Sequence, residues 1–81
     1  MEKITNIVNS WDPIGVFPMA PKDEYINEIK KIYQYIHSNE NLQIETLAEK
    51  INKIFLDEFG SDVYDEDLEQ CKLIAERILK K

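Results

Sequence analysis

Hydrophobic positions recur along this chain at the three-and-four spacing of a helix, interrupted once by a run of prolines. Ile4, Ile7, Val8 and Trp11 follow the i, i+3, i+4, i+7 order of one buried face and predict a first helix over about residues 2–10. Pro13 stops it. The restriction that a proline places on its predecessor predicts extended backbone at Asp12. Tyr25, Ile29, Ile32, Tyr33 and Ile36 predict a second helix over about residues 22–38. Pro21 stands at its entrance, Asp23 and Glu24 in its first turn and His37 in its last, each suited to the dipole or the geometry of its end.

Ser38, Asn39 and Asn41 supply the next break. Ile44, Leu47, Ala48, Ile51, Ile54, Phe55 and Phe59 predict a third helix over about residues 43–59, closed by Gly60 as a left-handed terminal residue. Tyr64, Leu68, Cys71, Ala75, Ile78 and Leu79 predict a fourth over about residues 65–80, capped by Asp65 or else by Ser61 or Asp62. No period-two strand and no internal repeat is visible. The pattern predicts an all-α fold: one helical domain over residues 1–81, a compact small bundle of four helices with a long Pro-rich apolar loop between the first two. Short connections imply antiparallel neighbours, at least for helices two to four. A chain of 81 residues buries only about 60–65% of its unfolded surface, so its core is thin.

Charge narrows the partners. Ten Lys+Arg against sixteen Asp+Glu leave a net charge of −6. Seven of the acids (Asp57, Glu58, Asp62, Asp65, Glu66, Asp67 and Glu69) fall in residues 57–69 with no Lys or Arg among them. No basic stripe is present to displace counterions from phosphates, so neither nucleic acid nor an anionic membrane is expected as a partner. No run of eighteen apolar residues exists, the first residues carry no secretory pattern, and the lone cysteine suits a reducing compartment. A cytoplasmic location is the expectation.

The unusual segment is residues 12–21, Asp-Pro-Ile-Gly-Val-Phe-Pro-Met-Ala-Pro. Bundle linkers are commonly two to eight residues and polar. This one is apolar, holds all three prolines of the chain and carries no charge between Asp12 and Lys22. Gly15 permits a turn that other residues resist. On one reading, Ile14, Val16, Phe17 and Met19 fold back to complete the core, each contributing roughly 1.5–3 kcal/mol on burial. On the other, part of the loop stays exposed as a docking surface, the usual meaning of a large apolar patch. Asp12 suits an Asx turn running through Pro13 to Gly15, and Trp11 is placed to pack on the same loop.

Catalytic constellations are sparse. Asp12 with Asp23, Glu24 and Tyr25 could line a small polar pocket, although solvated helix caps account better for the acids and a half-buried core position better for Tyr25. Cys71 has only His37 as a potential base and lies on an apolar face, where a thiol behaves as a small hydrophobe. The acid-rich run fails as a calcium loop, since no register puts Gly60 sixth and an acid twelfth with oxygen ligands before it. No catalytic residue, metal site or cofactor is expected.

The string Trp11-Asp12-Pro13-Ile14-Gly15-Val16-Phe17-Pro18-Met19-Ala20-Pro21, followed by Asp23-Glu24-Tyr25, is similar to the signature of a small bacterial family of unknown function typified by the Bacillus protein YugE. Ile44, Leu47, Ala48, Ile54-Phe55, Phe59-Gly60, Ile74-Ala75 and Ile78-Leu79 extend the likeness over nearly the whole chain. The resemblance implies a compact all-α domain in a bacterial cytoplasm and brings no activity with it. Asp-Pro-Ile-Gly followed by Asp-Glu-Tyr also resembles a motif of small acidic bacterial proteins, some of them suspected immunity proteins.

The expected function is therefore a non-enzymatic protein-interaction domain. Its candidate binding residues are Trp11, Asp12, Pro13, Ile14, Gly15, Phe17, Pro18, Glu24 and Tyr25, and its partner is an unidentified protein or a second copy of the chain. The alternatives are an acidic immunity or antitoxin-like inhibitor using residues 57–69 against a basic toxin, and a small-ligand pocket at Asp12, Asp23, Glu24 and Tyr25.

Overall fold

The computed structural model describes residues 2–15, 25–39 and 41–80. Val16, Phe17, Pro18, Asp23 and Glu24 lie outside the described residues, as does the rest of the run between Gly15 and Tyr25. The expectations placed on them are neither met nor contradicted. Four helices follow one another: α1 (Glu2–Trp11), α2 (Ile26–Ser38), α3 (Ile44–Phe59) and α4 (Leu68–Leu79). No strand occurs among the described residues, and the all-α bundle is the observed architecture.

The helices pack in a ring, α1 against α2, α2 against α3, α3 against α4 and α4 against α1. Directions alternate. Trp11 at the end of α1, Tyr25 at the start of α2 and Phe59 at the end of α3 meet at one pole. At the other, Lys3 at the start of α1 donates to the Lys80 carbonyl just past α4. The core is the set of periodic positions: Ile4, Ile7 and Val8 from α1, Ile29 and Ile32 from α2, Leu47 through Phe55 on one face of α3, and Cys71, Ile74, Ala75 and Ile78 from α4. Each helix alone is too short to persist in water, so this shared face holds all four.

The ends differ from expectation in four places. α2 begins at Ile26 and not at residue 22, because Tyr25 occupies a turn (φ −101°, ψ 15°) that turns its ring into the core. α4 begins at Leu68, and its cap is Asp67 rather than Asp65, Ser61 or Asp62: the Asp67 carboxylate accepts from the Gln70 N–H at 3.1 Å. Tyr64 consequently precedes α4 instead of lying on it, yet it is buried. Gly60 has the positive φ expected of it (+80°), but its ψ of 161° makes it an extended turn residue whose N–H reaches the Leu56 carbonyl.

The fourth difference is at Asp12. Its φ is +47°, left-handed rather than extended. Its N–H donates to the Val8 carbonyl at 2.9 Å and so completes the last turn of α1. A short polar side chain tolerates that backbone better than most, and the carboxylate has a fixed partner that holds it there.

Candidate functional site

The proline-rich elbow leaves the bundle from a defined root. After Asp12 turns, the Gly15 N–H donates to the Asp12 main-chain carbonyl at 3.0 Å and closes the turn through the backbone. Gly15 takes φ +73°, a conformation costly for any residue with a Cβ. The carboxylate reaches across the elbow. Tyr25, fully buried at the far end of the elbow, donates its hydroxyl to Asp12 Oδ1 at 2.5 Å and accepts from the Ile14 N–H at 3.2 Å. One phenolic oxygen thereby ties together both ends of a thirteen-residue separation. A hydrogen bond to a carboxylate is among the short, strong class.

The ring beneath that hydroxyl is held by α3. Tyr25 meets Phe55 edge-on at 5.8 Å and Phe59 edge-on at 6.3 Å. Trp11, expected against the loop, lies edge-on to Phe55 at 5.2 Å. Phe55 also stacks with Phe59 at 6.0 Å and with Tyr64 at 5.8 Å, so it is the hub of a five-ring cluster. Such pairs contribute about 0.5–1.5 kcal/mol each beyond the area they bury. Ile14 is half-buried and packs on the core, as does Trp11, while Pro13 is half-buried and Gly15 exposed.

Of the nine candidate binding residues, six are described and adjoin one another: Trp11, Asp12, Pro13, Ile14, Gly15 and Tyr25. Phe17, Pro18 and Glu24 lie outside the described residues, and so does Asp23 of the proposed polar pocket. Open grooves occur elsewhere. One of about 620 Å³ lies between the start of α1 and the end of α4, lined by Glu2, Lys3, Asn6, Ile7, Arg77 and Lys80. One of about 280 Å³ lies between α2 and α3, lined by Lys31, Gln34, Tyr35, Ser38, Lys50 and Ile54. Neither includes Asp12 or Tyr25.

Two polar features were missed at the level of sequence. Glu28 is buried to 2% exposure on α2. Its signal was positional, three residues after Tyr25 and four before Ile32, on the face that carries the apolar stripe. The second is a network between α3 and α4. The Tyr64 hydroxyl donates to Asn52 Oδ1 at 2.8 Å and lies 3.3 Å from Cys71 Sγ, while Asn52 Nδ2 donates to Glu66 Oε1 at 3.0 Å. Burial pushes the Tyr64 hydroxyl well above the ordinary tyrosine range, reinforced by its contact with Cys71. Burial likewise pushes the Cys71 thiol up, against a smaller opposing effect of the Tyr64 hydrogen bond. Cys71 is thus a protonated core thiol with no exposed surface.

All seven acids of residues 57–69 are exposed. Among the described residues no group of three His, Cys, Asp or Glu side chains is arranged to hold a metal ion, and no helix is long and apolar enough to cross a membrane. A family model matches residues 3–81, nearly the whole chain. The chain belongs to the DUF1871 family, a domain of unknown function. No curated protein and no solved structure matches it.

Proposed function

We propose that this chain is a non-enzymatic bacterial protein-interaction domain of the cytoplasm, and that its docking surface is the elbow from Trp11 to Tyr25. One observation carries the reading: both ends of the elbow are tied to the Tyr25 hydroxyl above a packed aromatic cluster. A segment rich in proline and anchored at both ends loses little entropy on binding, which favours recognition over a flexible linker of the same composition. The carboxylate of Asp12, already engaged by Tyr25, serves the anchor rather than chemistry. The elbow string also supports closer kinship with the proteins typified by the Bacillus protein YugE.

A photoreactive phenylalanine analogue in place of Phe17 tests the proposal in cells. The expected product is a discrete adduct between this chain and another protein, and an adduct of twice the chain mass makes that partner a second copy. Crosslinking only within the chain overturns the reading, because Phe17 then packs on its own bundle.

The exposure of all seven acids in residues 57–69 favours a second reading, an acidic inhibitor that covers a basic toxin site. A toxin gene beside this one supports it, and a housekeeping neighbourhood counts against it.

A further inference from the structure

The elbow root and the acid-rich segment are mounted on the same end of α3. Trp11 and Tyr25 lie against Phe55 on behalf of the elbow, and Tyr64 stacks on Phe55 from within residues 57–69. The acid-rich segment is held in one shape: Asn52 grips Glu66, Asp67 caps α4, and the Tyr64 N–H closes on the Gly60 carbonyl at 2.9 Å. Large hydrophobic side chains stand exposed within it, Val63 at 54% and Leu68 at 41%. Glu58 pairs with Lys31 and Glu69 with Lys72, whereas Asp57, Asp62 and Asp65 make no such contact among the described residues. At the opposite pole, Lys3, Arg77 and Lys80 share the larger groove with Glu2. Acidic charge is concentrated at the end that bears the elbow, where residues 57–69 carry seven exposed acids and no Lys or Arg.

We propose that this end of the bundle docks a protein that presents Lys and Arg side chains around an apolar anchor. The anchor contacts Trp11, Val63 and Leu68, and the cations meet Asp57, Asp62 and Asp65. The inference rests on the reading of the elbow as a docking surface and adds the chemistry of the partner. Complementary charge selects the occupant: phosphate-bearing polymers and anionic membranes are repelled, and a cationic protein is steered in. The exposed apolar residues supply what charge alone does not, a desolvated centre ringed by polar contacts.

The test titrates the full isotope-labelled chain with two synthetic peptides of equal length, each carrying one Trp, flanked in one by Lys and Arg and in the other by Asp and Glu. The cationic peptide is expected to shift the Trp11 indole and the Val63 and Leu68 amides, with affinity falling roughly tenfold as salt rises from about 50 to about 200 mM. Asp57→Asn with Asp62→Asn and Asp65→Asn should weaken it about tenfold at an unchanged melting temperature, while Glu45→Gln with Glu76→Gln, exposed acids elsewhere, should leave it unchanged. Equal binding of both peptides, equal effects of the two sets of substitutions, or shifts that spare Trp11, Val63 and Leu68 would overturn the proposal. The Phe17 crosslink separates the two claims. If it forms undiminished in the triple Asn variant, the elbow reading stands and the charged-partner inference fails. If it does not form in the unaltered chain, the elbow reading itself fails.

Discussion

The Tyr25 hydroxyl donates to the Asp12 carboxylate at 2.5 Å across the mouth of the elbow. Thirteen residues separate the pair, so one side-chain contact fixes where the segment leaves α1 and where it enters α2. The same oxygen accepts from the Ile14 N–H, so the bond also positions the first apolar residue of the elbow.

Tyr25→Phe keeps the ring against Phe55 and Phe59 and removes only the hydroxyl. It leaves the Asp12 carboxylate and the Ile14 N–H without that partner, at an expected cost of about 1–3 kcal/mol. Urea unfolding measures it. The effect should be smaller when Asp12→Ala is already present, since the substitution then removes only the contact with the Ile14 N–H.

Phe55→Ala removes the hub that Trp11, Tyr25, Phe59 and Tyr64 share. Losing a buried phenylalanine costs about 3–5 kcal/mol. A domain of this length holds only about 4–12 kcal/mol in all. The variant should therefore melt at least about 10 °C lower by circular dichroism, while Tyr33→Ala, at a half-buried site on α2, should lose much less.

Alkaline pH should destabilise the fold through α3 and α4. The Cys71 thiol and the Tyr64 hydroxyl are both held above their ordinary values of 9.0 and 10.0 by burial. The unfolded chain then loses those protons at lower pH than the folded one. Their contribution is complete below about pH 9 and declines as pH rises beyond it, because the folded state binds more protons there. Melting temperatures between pH 7 and 11 should fall on the alkaline limb, and less steeply in Cys71→Ala. For the same reason Cys71 should resist thiol reagents at neutral pH until the chain is unfolded.

Gly60→Ala should cost about 1–3 kcal/mol purely through backbone strain. Its φ of +80° with ψ of 161° is a glycine conformation, and a Cβ placed there would meet no atom within 4 Å. A stability loss larger than that range would show that the turn before Tyr64 yields as a whole.

Much of this architecture was legible in the residue pattern, because four amphipathic stripes admit few arrangements. Ile4, Ile29, Leu47 and Ile74 are core because helical spacing puts them there. What spacing did not show was where side chains override it. Tyr25 and Tyr64 carry apolar rings and fit the helical stripe, yet each sits just outside its helix, placed by tertiary contacts with Phe55 and by hydroxyl partners remote in sequence. Asp12 is left-handed because it continues the hydrogen bonding of α1, a local demand stronger than the preference set by Pro13. The cap of α4 fell on Asp67 among several acids of equal propensity, which composition does not distinguish. At the site, the family of the elbow was readable and its anchor was not, since the Asp12–Tyr25 bond spans the segment whose shape would have to be known first.

The central claim is that the elbow is a docking surface on a fixed root and not a missing piece of the core. Phe17→Ser tests it by thermal melting set beside recovery of the crosslinked partner of the unaltered chain. A surface role predicts a melting temperature lowered by no more than about 2–4 °C, with the partner lost. A fall of about 10 °C or more with the partner retained would mean that Phe17 fills the bundle and the elbow binds nothing.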